Sequence, residues 1–392
     1  MVAFASSEHV ALAPPNLPEV TLASGVTLPL RYIIALAGDY FSSEKPISSG
    51  TTPEEKSEIF MRAFNTLNYA EADEVNQLIQ MINKERKHVD QALQYHHPES
   101  DALQKYGAQE TFTAMKCTEE SYLNLAKNNL DHFNNQALDA YQTGHTIAMK
   151  IAFEANQTSL LTQKEKLFNF ALSLEAFACH FLTDLFAAGH MRTPRKELQD
   201  QLGPDIGPLF SLFQHDEDNR EGLLVATKRD KWKAYGDGHL FEAENEENRL
   251  QAQDAVKQAF QEIYSMYEKG HVLLETGLDV VNLIPKVIEN FPPLFKVEQH
   301  QIFYRKKLHD LSCDQYLPLT REKIPGILIH FAGQYAQESA VSKKSLAILD
   351  EIKKKERLAK EARRSNSLFY VKNTIKQAPV SSEEKKRCCV IV

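Results

Sequence analysis

The sequence predicts an all-α protein, a large helical body followed by a basic tail, and three observations point there. Apolar residues recur every three to four positions over 119–150, 163–188, 248–280 and 322–337, the spacing of helices that bury one stripe. Alternation with period two, the mark of half-buried strands, is scarce. Charge then divides the chain: residues 343–387 carry 14 Lys or Arg against 6 Asp or Glu, so the formal net of −8 is a body at −16 joined to a tail at +8. A body of 1–342 suffices for one substantial core, with a sub-boundary possible near 245–290, whereas 343–392 has too little apolar content to build its own.

In order along the chain, residues 1–30 read as irregular. The run 32–37, closing on Gly38-Asp39, reads as a short buried helix or strand with Asp39 at its mouth. A polar loop at 43–53 leads into Pro53-Glu54-Glu55, a helix start that carries past Ile79. His132 and His145 fall on what reads as one helix, and 163–188 is the most apolar helical stretch. Segments 203–208 and 235–239 are Gly-containing loops, and 292–319, with Pro292, Pro293 and Pro318, fits neither period. No run reaches the roughly 18 apolar residues of a membrane-spanning helix. The apolar stretch at the N-terminus is short, lacks a preceding Lys or Arg and is interrupted by Pro14 and Pro15, so no Sec-type signal is expected. Cys117, Cys179, Cys313, Cys388 and Cys389 give no disulfide framework and suit a reducing compartment.

The chemistry centres on His180-Phe-Leu-Thr-Asp184-Leu-Phe-Ala-Ala-Gly189-His190. On a helix, His180 and Asp184 emerge one turn apart from one face and can grip one cation between them. Such a pair alone is often a plain hydrogen bond. A third donor six residues on, past Gly189 where the helix can end, makes a metal site the stronger reading. A second cluster, His215-Asp216-Glu217-Asp218-Asn219, reads as a loop or helix start whose carboxylates repel unless solvent or a cation intervenes. It is either a solvated acidic first turn or, with His215 turned inward, a source of further ligands. His132 and His145 lie thirteen residues apart, on different faces of one helix unless Gly144 breaks it. Both are candidate ligands, His132 the favoured one, though each alone is nearly as well read as a hydrogen-bonded core histidine. Asp39 is a turn residue or a ligand, while Trp232, Asp237 and His239 are candidates for substrate contact or for bracing the ligands.

The run HFLTDLFAAGHMRTPR, with ALAGDYF, NNLDHF, AYQTGH and HDEDN followed by AYGDG, resembles the bacterial zinc-dependent phospholipases C, most specifically those of the pseudomonad and Legionella type, a family related to the S1/P1-type nucleases. These motifs span about residues 30–245. The resemblance implies a phospholipase C/P1 nuclease-like helical catalytic domain holding two or three Zn2+ ions. It implies that His180 and Asp184 share one ion with Asp39 and a helix histidine, His132, and that His190 and His215 hold another. Relatives complete that second site with a carboxylate four residues after the last histidine. Asn219 stands there in this chain, so its amide oxygen coordinates, or Asp216 or Asp218 substitutes. A third ion, held in secreted relatives partly by the amino group of an N-terminal Trp, would take His9 or His145 here, or be absent.

The implied reaction cleaves the glycerol-side phosphodiester of glycerophospholipids, giving diacylglycerol and a phosphorylated head group. Asp39 and Asp184 are its expected catalytic carboxylates, Asp39 orienting the attacking water or accepting its proton. The terminus Cys389-Val390-Ile391-Val392 fits C-a-a-X, with Lys385, Lys386 and Arg387 upstream. It suggests a prenyl group on Cys389 and a palmitoyl group on Cys388, with an unmodified tail as the plain alternative. Prenyltransferases are eukaryotic while the catalytic motifs resemble bacterial ones. The expectation is therefore an effector delivered into a host cell without a Sec signal and lying peripherally on the cytosolic face of host membranes, its partners being phospholipid, that membrane and a host prenyltransferase. Nucleic acid is not expected, because an acidic body repels it. Two other readings stand beside this one: an S1/P1-like metal-dependent nuclease or nucleotidase, and a non-catalytic lipidated scaffold whose histidines are structural.

Overall fold

A computed structural model describes residues 6–103, 128–272 and 279–331, together with Thr113, Ala114, Thr118, Asn124 and Leu125. The chain divides into two compact units, Met1–Leu319 and Thr320–Val392. In the second, 324–331 are helical, in keeping with the periodicity that begins at 322. The tail from 343, with Cys388 and Cys389, lies outside the described residues, as does Cys117.

The first unit is mostly helical, and it also holds three small antiparallel sheets that correct the all-α expectation. Its helices are α1 (Ser6–Leu12), α2 (Leu30–Leu36), α3 (Pro53–Asn68), α4 (Ala72–Gln94), α5 (Asn134–Gln157), α6 (Leu161–Asp184), α7 (Ala188–Met191), α8 (Arg195–Glu221) and α9 (Glu246–Lys269). A hairpin pairs β1 (Glu19–Thr21) with β2 (Thr27–Pro29). A second sheet has the order β4 (Lys231–Ala234), β3 (Leu223–Ala226), β5 (Lys286–Val287). A third runs β6 (Phe295–Glu298), β7 (Gln301–Arg305), β8 (Tyr316–Pro318).

Helix α6 is the axle of the core. From Ala171 to Asp184 every residue is buried, because other elements cover this half of the helix on each side, its polar groups Glu175, His180, Thr183 and Asp184 included. Antiparallel α5 packs against it through Ala137, Ala140, Tyr141, Gly144, Ala148, Ala152 and Ala155, a largely small-residue stripe at helical spacing that lets the backbones approach. Gly144 does not break α5. Its hydrogen faces Phe60 and Ala178, and a Cβ there would lie 2.3 Å from the Phe60 ring.

Several expectations change for local reasons. The irregular 1–30 contains α1, which is buried at Ser6, Ser7, Glu8 and Leu12, and the β1–β2 hairpin turning at Gly25. The 53–79 helix is broken between Asn68 and Ala72 into α3 and α4. His132 does not share a helix with His145: it ends a 3-10 turn, Leu130–His132, Phe133 is extended, and α5 starts only at Asn134. The 203–208 segment is a kink at Gly203 (φ 82°) rather than a loop, with Pro204 following.

The acidic run 215–219 occupies the end of α8, not its start. Carboxylates there oppose the helix dipole, and each has a compensating partner. Asp218 receives two hydrogen bonds from Arg192 (3.0 and 2.6 Å), Glu217 pairs with the fully buried Arg305 of β7, and Asp216 accepts from His215. The unassigned 292–319 is the β6–β8 meander, fastened to α8 by that Arg305 pair and by Phe295 N–H donating to Gln214 (2.8 Å).

Candidate metal centre

The end of α6 carries His180 and Asp184 one turn apart, and their facing atoms are 3.7 Å apart. His180 Nδ1 donates to the Ile34 carbonyl of α2 (2.9 Å), which leaves the Nε2 lone pair free toward His132 Nδ1 at 3.2 Å. That His132 nitrogen is 3.0 Å from Asp184 Oδ2 and 3.9 Å from Asp39 Oδ1. Gly38 (φ 71°) turns the chain so that Asp39 enters. A Cβ at Gly38 would be 2.4 Å from the His180 ring and 2.8 Å from the His132 ring, so only glycine fits.

The turn after α6 is made by 185–187, and His190 sits in the short α7 rather than beyond a helix end at Gly189. Gly189 serves close approach instead: its N–H donates to Asn219 Oδ1 (2.6 Å), against α8. His190 Nδ1 donates to the His132 carbonyl (2.7 Å) and its Nε2 faces Asp237 Oδ2 at 3.2 Å. His215 repeats the pattern, with Nδ1 donating to Asp216 (2.9 Å) and Nε2 3.0 Å from the same Asp237 oxygen. His9, from α1, donates through Nδ1 to Thr183 Oγ1 (2.7 Å), whose own proton goes to the His180 carbonyl (2.7 Å). Its Nε2 lies 3.8 Å from Asp184 Oδ1. In four of the five histidines the acceptor at Nδ1 thus fixes the tautomer and aims Nε2 inward, the arrangement by which outer groups orient metal-binding imidazoles.

Three donor groups result: His132 with His180 and Asp184; His9 with Asp39 and His180; and His190 with His215 and Asp237. Asp184 links them, because Oδ2 faces His132 and His180 while Oδ1 faces His9 and His190. One Nε2 ligates one ion, so the two groups that contain His180 compete for it.

Electrostatics singles out Asp39. Neither of its oxygens accepts a hydrogen bond among the described residues. Burial, then the nearby Asp184 and Asp237 charges, push its carboxyl well above the ordinary range. Burial alone would raise Asp184 and Asp237 as well. The imidazoles override it: His180, His132 and His190 hold Asp184 below the usual carboxylate range, and His190 and His215 hold Asp237 well below it. Burial keeps His9 and His180 low and therefore neutral. It opposes the charging of His190 and His215 too, but Asp237 raises the first, and Asp216 and Asp237 raise the second to about 10. A buried carboxylate with no donor, among neutral imidazoles that present lone pairs, fits bound cations.

The remaining sequence candidates fall elsewhere. Asn219 spends its oxygen on Gly189, Asp216 braces His215 Nδ1 and Asp218 holds Arg192, so the carboxylate that faces His190 and His215 Nε2 is Asp237 rather than one of the three expected there. His145 is remote from the centre, between Glu175 (2.9 Å) and Glu262 (3.3 Å). Trp232 is a buried core residue donating to Asn248 (2.9 Å), and His239 pairs with Glu242 (2.9 Å). Sequence reasoning missed Thr183 and Glu8. Glu8 Oε1 accepts from Gly238 N–H (3.0 Å) and Leu240 N–H (3.2 Å), and Glu99 accepts from Phe241 N–H (3.0 Å), so two buried carboxyls hold the loop that carries Asp237. A cavity of about 30 Å³, room for about two waters, lies among His9, Thr183, Asp184, Tyr235 and Asp237.

No family model, no curated protein and no solved structure matches the chain.

Proposed function

We propose that this protein is a metal-dependent phosphodiester hydrolase and, within that class, a zinc-dependent phospholipase C that releases diacylglycerol and a phosphorylated head group. The observation that carries the reading is the meeting of three imidazole–carboxylate groups around Asp184, with a buried Asp39 among them whose oxygens accept no hydrogen bond among the described residues. Mixed nitrogen and oxygen donors of this kind suit zinc. Divalent cations supply neutralisation of phosphate oxygens and acidification of water. His132, His180 and Asp184, with Asp39, would hold one ion and His190, His215 and Asp237 a second, while His9 offers a ligand for a third.

The chain's own residues do the rest. Thr183, Asp216 and the carbonyls of Ile34 and His132 hold the rings in register. Asp39, whose charged form a bound cation would favour, would orient water and accept a proton from it. The choice of a lipid over a nucleic acid is supported by the body's charge of −16, which repels a polyanion but opposes a head group far less. The motif resemblance supports it independently. The C-a-a-X terminus would tether the enzyme to the host membrane that it degrades.

The deciding experiment is a metal titration followed by head-group release on a lipid panel, comparing wild type with His180→Ala and Asp184→Asn. Both variants are expected to lose metal and at least about 100-fold in rate, the scale of a removed charge-stabilising group. Full activity in both would defeat the assignment. Cleavage of single-stranded DNA alone would select the nuclease reading, and failure of wild type to take up any metal would leave the scaffold.

A further inference from the structure

The three-stranded sheet β4-β3-β5 has two unlike faces. Leu223, Val225, Trp232 and Ala234 point into the core, whereas Lys231 and Lys233 alternate outward from β4. Register extends this outer face across the sheet: Lys231 pairs with Ala226 and Ala226 with Lys286, placing two exposed lysines in one row, about 10 Å apart. The turn adds exposed Lys228 and Arg229, and its shape is fixed by Thr227, which bonds to Asp230 through both backbone and side chain. Five exposed cationic residues therefore face two exposed acids, Asp230 and Glu289, on a body whose formal charge is −16. Nearby Arg220 and Glu221 neutralise each other (3.0 Å).

Lysines on edge strands also block edge-to-edge pairing. That accounts for one or two of them, not for the cationic turn. The patch also adjoins the centre. Lys233 Nζ lies 4.8 Å from the centre of the Tyr235 ring, and Tyr235 lines the cavity that holds His9, Asp184 and Asp237.

We infer that the outer face of the β4-β3-β5 sheet is a docking surface for anionic phospholipid head groups, which sets a bilayer beside the metal centre. The occupant follows from charge and shape. Lysines act as flexible point charges on phosphate and carboxylate groups, and among the described residues this face has no exposed aromatic ring on which a nucleic acid base could stack, Tyr235 being half-buried and the one tryptophan buried. Nor do the described residues give it an exposed large apolar side chain, so attachment is electrostatic and sensitive to salt. The choice of lipid rests on the phospholipase reading, but the surface does not.

The test uses the full chain, purified from bacteria and kept in chelator so that no turnover occurs. Binding to phosphatidylcholine vesicles containing phosphatidylserine is compared for wild type, a Lys231→Gln/Lys233→Gln/Lys286→Gln variant, and a charge-matched control, Lys84→Gln/Lys87→Gln/Lys150→Gln, on exposed helix positions. With each lysine worth roughly fivefold, the sheet variant is expected to bind roughly 100-fold more weakly at low salt, the control much less so, and the gap to close as salt rises. Equal losses in the two variants, or a preference for single-stranded DNA over vesicles, would overturn the inference. Hydrolysis of a monomeric short-chain phosphatidylcholine, measured with metal restored, separates the two proposals. Its absence in wild type defeats the phospholipase reading while leaving the binding result standing.

Discussion

Asp39 shows how one residue reports the chemistry around it. A carboxylate buried without donors is costly, and here two further carboxylates stand near it, so its carboxyl is pushed well above the ordinary range. In the same centre His190 and His215 carry the opposite burden: against burial, Asp237 and Asp184 raise the first, and Asp216 and Asp237 raise the second to about 10. At pH about 6.5 both imidazoles are mainly protonated, and a cation can enter only as those protons leave. Binding of an ion at His190, His215 and Asp237 should therefore release protons. Calorimetric titration in buffers of differing ionisation enthalpy measures this directly, and heats independent of the buffer would rule the assignment out.

At the scale of elements, three helices meet at His145. The imidazole bridges Glu175 of α6 and Glu262 of α9, with Tyr141 of its own helix 5.5 Å away and Cys179 against Glu175. Burial alone would lower His145, but the two carboxylates prevail and raise it to about 10. Because this folded value lies above the ordinary 6.5, the stabilisation is complete below that pH and is lost as pH rises through about 10. Replacing His145 with Ala should cost about 3–5 kcal/mol at neutral pH by stranding two buried carboxylates. Thermal melts should show the deficit narrowing toward pH 10, with metal content unchanged; a variant that melts like wild type would contradict it. The short α1 works differently, since it brings His9 to the centre while the adjacent Glu8 holds the Asp237 loop.

Over the whole molecule, charge is segregated: an acidic body, a cationic sheet face within it, and a basic tail ending in a C-a-a-X pattern. No described helix is long and apolar enough to cross a membrane, so on the proposed reading attachment adds the tail's lipid to the sheet's electrostatics. Expressed in eukaryotic cells, the protein should carry a prenyl mass on Cys389 and partition with membranes, and Cys389→Ser should move it largely to the soluble fraction. An unmodified Cys389 by mass spectrometry would remove the lipid anchor and leave electrostatics alone.

The sequence by itself determined the helical body and the pairing of His180 with Asp184, because residues four apart on one helix are neighbours whatever surrounds them. It also marked His132, His190, His215 and Asp39 as donors through motif and spacing. It could not place His9 rather than His145 at the centre, put Asp237 rather than Asn219 opposite His215 Nε2 as the carboxylate, or show short strands in 223–234 and 295–318. Those outcomes were decided only where α1, α2, α6, α7, α8 and the loop after β4 pack together. Periodicity describes the faces of a single element, whereas a centre built from seven segments, the turn that carries His132 among them, depends on contacts that close long loops and leave no local trace.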